Sequence, residues 1–365
     1  MRREQWVRHP ALAGAFLLAA CAEPAPVEPP NIDLALPWTT ASVADVGGSA
    51  ELVAAGLAKT RANDRPLSLL VVKNGLLVVE EYFGSAVSAD LHDVRSVTKS
   101  VVSALTGIVI DRGDIGHVDS PIGGFLDSLV SDLEPEKAAI TIENLLTMTS
   151  GLEWDESGGF GDYSEWIRSD DHIGFLLDRP LVAEPGVRFT YNSAAVHLLG
   201  VVLEQATGMP LPEAADELLF SGMGIARSRW EPLAGGFHNG GVGLDLRPRD
   251  LARLGQLFLQ RGSSAERRVL PADWVERTSA AHFDWRSNSG SLRGISYGHL
   301  WWVVPEAREP FYFAWGFGGQ YVVVVPELYL VIVTTNNWRG VGEDAGRYER
   351  MTMDVLVEYM IPAFR

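Results

Sequence analysis

Cysteine, lysine and clusters of basic residues are scarce in this sequence. The scarcity of cysteine and of basic clusters bears on disulfides and on nucleic-acid binding. Cys21 is the only cysteine among 365 residues, so no disulfide can form within the chain. Asp and Glu number 47 against 30 for Lys and Arg, and no basic run offsets this excess, which argues against nucleic acid as a partner. The acidity does not indicate disorder, because apolar residues make up 47% of the chain and can build a large core.

Long hydrophobic runs are also missing, and the apolar run at residues 11–20 is too short to span a bilayer. Three arginines precede this run, as in a secretory signal peptide: Arg2, Arg3 and Arg8. The run ends in Leu18-Ala19-Ala20-Cys21, which resembles the signal of bacterial lipoproteins, whose cysteine is lipidated and becomes the new N-terminus. An ordinary signal peptide with an incidental cysteine is the alternative.

These features predict three segments. We expect a lipoprotein signal peptide at residues 1–20, a Pro-rich tether at 21–40 and a folded domain at 41–365. Acyl chains on Cys21 would anchor the protein to a membrane on the periplasmic side of the bacterial cell envelope.

Apolar periodicity gives a coarse order of elements. Residues 67–83 form two β-rich runs around Lys73-Asn74-Gly75, which is a strong hairpin signal. The chain is then mostly helical up to about residue 280, with predicted helices at 142–148, 194–206 and 248–261. Strands and a last amphipathic helix follow, at 299–304, 311–315, 320–325, 328–334 and 344–361.

This order predicts an α/β (α+β) fold in which one antiparallel sheet is built from both chain ends and flanked by helices. The sheet lobe is expected at about 41–95 and 295–365, with an inserted all-helical lobe at about 96–294.

The motif Ser96-Val97-Thr98-Lys99 opens an apolar stretch that is typical of a buried helix. Residues three apart share a helix face, so the lysine amine lies within reach of the serine hydroxyl. A lysine at the edge of a core is costly unless something uses it, and a nearby base is what a serine nucleophile needs. The alternative is a solvated Lys99 in a first turn capped by Ser96 or Asp93.

Two other kinds of chemistry find little support. The eight histidines are scattered without paired metal-ligand spacing, so we expect no metal and no cofactor. Gly294-Ile295-Ser296-Tyr297-Gly298 matches the G-x-S-x-G pattern of α/β-hydrolases, which requires a strand before the serine and a helix after it. A polar loop is expected before this segment and a strand after it, so we reject this nucleophile.

Five markers in order resemble the serine β-lactamase and penicillin-binding-protein superfamily, and within it the class C β-lactamase-like esterases and amidases, including 6-aminohexanoate-dimer hydrolases. The resemblance covers roughly residues 65–340 and implies the β-lactamase/transpeptidase-like fold. Besides Ser96-Val97-Thr98-Lys99, the markers are the segments 145–152, 185–193, 240–244 and 315–320.

The resemblance implies a second catalytic element at Tyr191-Asn192-Ser193, where a phenol beside the lysine relays the proton. A Tyr191 that only packs at a helix start is the structural alternative. Ser193 stands where β-lactamases have an asparagine, which weakens the case for binding a β-lactam amide.

The third family element, Lys/His-x-Gly, is Ala314-Trp315-Gly316 here, so the cation that attracts a substrate carboxylate is missing. The resemblance still implies an oxyanion hole from the N–H groups of Ser96 and Phe317, with Gly316 letting the substrate approach. A plain turn around Gly316 is the alternative. The expected substrate-binding residues are Ser193, Trp315, Gly316, Trp154, Trp166 and His238.

We therefore expect a serine hydrolase that cleaves carboxylic esters or small amides through an acyl-Ser96 intermediate, with Lys99 as base and Tyr191 as relay. The alternatives are a β-lactamase or D-alanyl-D-alanine carboxypeptidase of the cell envelope, and an inactive sensing module on the same fold.

Overall fold

The computed structural model describes residues 30–226 and 228–365. The predicted signal peptide and the predicted lipidation site at Cys21 lie outside these residues. Residues 30–40 pack on the domain rather than forming the outer part of a tether: Leu34 is buried and its N–H donates to Ser264 Oγ at 2.9 Å. The predicted tether at 21–40 is therefore too long, because residues 30–40 belong to the folded domain.

The β-strands of the described residues are numbered along the chain. They are β1 (Pro66–Lys73), β2 (Leu76–Tyr82), β3 (His92–Asp93), β4 (Arg229–Trp230), β5 (Leu244–Leu246), β6 (Ser263–Ser264), β7 (Arg267–Arg268), β8 (Phe283–Ser289), β9 (Leu292–Tyr297), β10 (Trp302–Val304), β11 (Phe311–Gly316), β12 (Gln320–Val325) and β13 (Leu330–Asn336).

The α-helices of the described residues follow the same order. They are α1 (Ala50–Arg61), α2 (Val97–Asp111), α3 (Gly123–Leu126), α4 (Pro135–Ala138), α5 (Ile142–Leu146), α6 (Ser157–Trp166), α7 (His172–Leu177), α8 (Ser193–Thr207), α9 (Leu211–Ala214), α10 (Pro248–Leu259), α11 (Ala272–Ser279) and α12 (Ala345–Val355). None of these helices is by itself long and apolar enough to cross a membrane. Two helical segments joined at a bend, Ser193–Thr207 and Leu211–Met223, together have the length and composition of a membrane span.

One antiparallel sheet of eight strands, in the order β2-β1-β13-β12-β11-β10-β9-β8, joins the two ends of the chain. Leu70 of β1 pairs with Val333 of β13, which confirms the predicted sheet built from both termini. Both faces of its centre are covered. Val331 faces α10 at Gly255, whereas Thr334, on the opposite face by the period of two, lines a space beside α1 and α12.

Helix α2 places the predicted nucleophile at the seam of the two lobes. It is buried from Val97 to Val109 and packs against α8 on one side and β11 on another. Close packing requires Gly107, because a Cβ there would lie 2.4 Å from Cγ of Trp274. The first turn of α2 therefore lies where the sheet meets the helical lobe.

The structure corrects two boundaries of the predicted lobes. The sheet begins again at β8 rather than near residue 295, and the segment expected as a polar loop before Ser296 is strand β9. Ser296 lies inside that strand and is followed by β10 rather than by a helix, so the strand–turn–helix arrangement is still missing. The polar composition of the edge strand β8 hid it from the hydrophobic pattern.

The inserted lobe is not all-helical. It contains the small sheet β3-β5-β4, in which His92 pairs with Leu246 and Trp230 with Leu244. Helix α10, expected in this lobe, packs on β12 and β13 of the large sheet instead. The spacing of apolar residues identifies α10 as an amphipathic helix but does not indicate which lobe its apolar face packs against.

Candidate active site

Ser96 occupies the N-cap position of α2 without a side-chain capping hydrogen bond, and it follows a sharp backbone turn. Arg95 before it has a φ of 52°, in the left-handed region, and its N–H donates to Asp93 Oδ1 at 2.9 Å. Left-handed backbone at a non-glycine residue costs free energy and persists where the surroundings enforce it, often at active sites. The turn leaves Ser96 partly exposed at the start of an otherwise buried helix.

Lys99 lies one helical turn further on and is 2% exposed. Its Nζ lies 2.9 Å from Ser96 Oγ, 2.9 Å from Ser193 Oγ and 2.8 Å from the carbonyl oxygen of Gly241. The three partners account for all three hydrogen-bonding directions of the nitrogen. The structure thus brings the serine and the lysine of the first motif into direct contact.

The hydrogen-bond inventory of this contact suits a neutral amine. The Gly241 carbonyl can only accept, and Ser193 Oγ accepts from Lys99 because its own hydrogen is directed to Glu156 Oε1, 2.8 Å away. Two N–H groups are then committed, and the third direction faces Ser96 Oγ. In a neutral amine that third direction is a lone pair, ready to accept the serine proton.

Burial lowers the pKa of Lys99 from 10.5 to about 7. The Glu156 carboxylate opposes this shift, and the positive charge of Arg95 adds to it. A pKa near 7 leaves a large fraction of the lysine neutral around neutral pH, which is the condition for a general base.

Tyr191 lies in the loop before α8. Asn192 caps this helix, and its Oδ1 accepts from the N–H of Ala195 at 2.9 Å. The centre of the Tyr191 ring is 5.0 Å from Lys99 Nζ, and its hydroxyl hydrogen-bonds Ser96. Burial, together with the Glu156 carboxylate, raises the pKa of this hydroxyl well above its usual range. Tyr191 therefore keeps its proton and can donate it.

Sequence reasoning missed Glu156. Its Oε1 accepts from Ser193 Oγ at 2.8 Å, and its Oε2 accepts from the backbone N–H of Ser193 and, at 2.8 Å, from Nε1 of Trp154. The residue follows the predicted 145–152 marker, but one more acidic side chain in an acidic chain gives no signal of its own. Only the fold shows that it lies beside the lysine.

The end of β11 closes the site from the sheet lobe. Strand β10 pairs with β11 only as far as Phe313, so Ala314, Trp315 and Gly316 extend beyond it toward Ser96. Gly316 is required by close approach, since a Cβ there would lie 2.3 Å from the carbonyl oxygen of Val94. The space on this side of Gly316 is thus filled by the chain leading to the nucleophile.

The nucleophile opens into a cavity of about 530 Å³ between the two lobes. Five aromatic residues contribute to its wall, and Tyr191 stacks on Trp302 with ring centres 5.9 Å apart and planes inclined by 21°. Among the residues that line it are Tyr163, Tyr191, Trp302, Trp315, Phe317, Ser96, Ser193, Arg95, Glu156 and Glu349.

Three predicted pocket residues lie outside the lining of this cavity. Trp166 is completely buried in the core, with its Nε1 donating to the carbonyl of His172. Trp154 is buried behind Glu156, and His238 has its Nδ1 3.4 Å from Glu204 Oε1. None of the three lines the cavity, because packing in the helical lobe occupies their rings.

Among the described residues one group could offer three metal ligands: Glu143, His282 and His299. Its geometry fits a hydrogen-bonded cluster better. His299 Nε2 lies 2.9 Å from Glu143 Oε1, and the two imidazoles stack with centres 4.1 Å apart and planes inclined by 12°. An ion bound by both rings would have to lie in both ring planes, which stacked rings do not allow.

The comparisons with known proteins agree with this geometry. A family model described as Beta-lactamase matches residues 56–352. A 6-aminohexanoate-dimer hydrolase of Paenarthrobacter ureafaciens is 26% identical over 293 residues, which is 74% of this chain and 72% of the relative. Esterase EstB of Burkholderia gladioli is 31% identical over 147 residues, 37% of each chain.

A solved structure extends the likeness to the fold. The octameric penicillin-binding protein homologue from Pyrococcus abyssi superposes with a TM-score of 0.67 and 18% identity, over 86% of this chain and 78% of the other.

Proposed function

The chain belongs to the β-lactamase family and is a serine hydrolase, and from this premise we propose that it cleaves carboxylic esters or small amides through an acyl-enzyme on Ser96. The observation that carries the proposal is the contact between a buried lysine and the serine hydroxyl, 2.9 Å apart, with the other two hydrogen-bonding directions of the amine already occupied. That arrangement activates the hydroxyl without a histidine.

In the first half-reaction Ser96 Oγ attacks the acyl carbon, and its proton passes to the neutral Nζ of Lys99. The backbone N–H groups of Ser96 and Phe317 stabilise the negative charge on the carbonyl oxygen. Tyr191 gives its proton to the leaving oxygen or nitrogen as the acyl bond breaks, and it recovers a proton from Lys99. Water then attacks the ester, with the same groups moving the proton back to Ser96.

The wall of the cavity that β11 forms favours uncharged acyl groups, although Arg95 also lines the cavity. Aromatic rings form much of its wall, and Ala314, at the position where β-lactamases carry a cation, is 1% exposed and has no charge to offer a substrate carboxylate. A wall that combines aromatic rings with polar groups close to the nucleophile suits a small ester or amide.

A substrate panel tests this proposal. We expect the protein to hydrolyse short-chain p-nitrophenyl esters with an initial burst of p-nitrophenol, and to hydrolyse nitrocefin with a kcat/KM at least about 100-fold lower, since an absent charge contact costs a few kcal/mol. Equal or faster nitrocefin turnover, or a stable fluorescent-penicillin adduct on Ser96, would favour the β-lactamase or carboxypeptidase alternative. No reaction with a fluorophosphonate probe would favour the sensing module.

We further propose that the protein is secreted and held at the cell envelope by lipidation of Cys21. The motif Leu18-Ala19-Ala20-Cys21 after a short apolar run supports it. Mass spectrometry of the N-terminal peptide from bacterial membranes is expected to show Cys21 as the first residue, carrying acyl chains. An unmodified N-terminus at another residue rejects the anchor.

A further inference from the structure

A continuous hydrogen-bond chain runs from Glu156 to the nucleophile. Glu156 Oε1 and Ser193 Oγ are 2.8 Å apart, Ser193 Oγ and Lys99 Nζ 2.9 Å, and Lys99 Nζ and Ser96 Oγ 2.9 Å. Ser193 and Lys99 are each only 2% exposed, so bulk water does not compete for these bonds.

Each link of a chain of hydroxyls and amines can point in either direction, and only one direction serves catalysis. If Ser193 donated to Lys99, it would occupy the lone pair that must receive the serine proton. The direction is set at the Glu156 end, because a carboxylate is an acceptor only and takes the hydrogen of the Ser193 hydroxyl.

The second carboxylate oxygen fixes the orientation of the group. Glu156 Oε2 receives the backbone N–H of Ser193 and the indole N–H of Trp154, two groups that can only donate. The carboxylate is therefore held at three points, and its Oε1 is always presented to the Ser193 hydroxyl.

We propose that Glu156 is a positioning residue of the hydrolase: acting through Ser193, it sets the direction of the hydrogen bonds so that the lone pair of Lys99 faces Ser96. This inference rests on the proposed function, because it assigns a task to the base of that reaction. Its geometry depends on the packing of two helices, since Lys99 is on α2 and Ser193 on α8.

Replacing the carboxylate by an amide should reverse the chain. In Glu156→Gln the two fixed donors hold the amide oxygen at the Oε2 position, which places the NH₂ group opposite Ser193 Oγ. The amide then donates to Ser193, and the Ser193 hydroxyl turns toward the Lys99 lone pair. The replacement of one oxygen by an NH₂ group thus disables the base without altering the shape of the cavity.

Removing the negative charge of Glu156 also changes the pKa of Lys99. The Glu156 carboxylate raises the pKa of Lys99 against the effect of burial, so its loss lowers that pKa. The charged and titratable groups around this centre stay in place: Arg95, Asp93, Glu349, Tyr163, Tyr191 and Tyr297. The acid limb of the pH–rate profile, which reports deprotonation of Lys99, is expected to move to lower pH.

The test compares four variants of the full-length protein by kcat/KM for a p-nitrophenyl ester across pH: Glu156→Gln, Ser193→Ala, the double variant and the control Glu153→Gln. Glu153 is an exposed carboxyl of the same loop, so its variant should leave activity and the pH profile unchanged. Glu156→Gln should lose about 100-fold, the scale of a general-base contribution, with the acid limb shifted to lower pH.

The double variant gives the sharpest outcome. Without the Ser193 hydroxyl no hydrogen can be turned toward Lys99, so adding Glu156→Gln to Ser193→Ala should cost less than about 10-fold. Equal losses in both backgrounds, or a loss without a pH shift, overturn the positioning role. A wild-type protein without esterase or amidase activity refutes the proposed function itself, which separates the two failures.

Discussion

Ser96→Ala is expected to abolish the burst and to reduce kcat for ester hydrolysis by at least about 10⁴-fold, because no other hydroxyl can form the acyl-enzyme. Ser193 Oγ contacts the same lysine but is buried and already donates to Glu156, so it cannot replace the nucleophile. Stopped-flow measurement of p-nitrophenol release, with intact-protein mass spectrometry of the acyl adduct, checks the expectation.

Ser103 provides a matched control on the same helix. It is buried on α2, and its hydroxyl has no hydrogen-bond partner among the described residues, so Ser103→Ala should leave activity unchanged and stability equal or slightly higher. If Ser96→Ala keeps more than a few per cent of wild-type turnover while Ser103→Ala behaves normally, Ser96 is not the nucleophile.

Lys99→Met should lower kcat/KM by at least about 10³-fold while leaving a folded protein. The methionine is close in length and suits a buried position, so no unpaired charge enters the core. Acylation should suffer most, since the Ser96 proton loses its acceptor. Added primary amines of pKa near 8 are expected to restore part of the activity, which a purely structural loss would not allow.

The same substitution changes the pH dependence of stability. The folded-state pKa of Lys99 is lowered from 10.5 to about 7, so between these values the unfolded chain binds more protons than the native protein. Stability contributed at this position therefore rises as pH increases from about 7 toward 10, and it is lowest below pH 7. Relative to Lys99→Met, the wild-type Tm should rise over that range; a constant difference would mean that Lys99 is buried with its charge.

The backbone architecture could largely be predicted from local patterns. The predicted hairpin at Lys73-Asn74-Gly75 appears as β1 and β2, and the buried helix predicted after Ser96 appears as α2. These elements carry strong hydrophobic patterns of their own, so tertiary packing had little to override.

The arrangement of side chains around the cavity could be predicted only in part. Ser193 and Trp315 line the cavity, whereas Trp154, Trp166 and His238 do not. A tryptophan carries the same sequence signal in a core as in a pocket wall, and only the packing of the helical lobe decides between them.

The contribution of Glu156 could not be predicted from the sequence, for a different reason. Its partner Ser193 is 37 positions away in the chain, and no local pattern records a hydrogen bond over that separation. The hydrogen-bond direction that the Glu156 carboxylate imposes on Lys99 depends on N–H donors of both Ser193 and Trp154. Only the three-dimensional structure shows that these groups lie close together.

The central claim is that Ser96 is acylated with neutral Lys99 as its base. The most direct measurement is the rate of fluorophosphonate labelling as a function of pH, with the labelled peptide identified by mass spectrometry. We expect the label on Ser96 and a rate that rises with a midpoint near pH 7, following deprotonation of Lys99. A label on another residue, or a rate that stays constant between pH 5.5 and 8.5 within about twofold, would contradict the account.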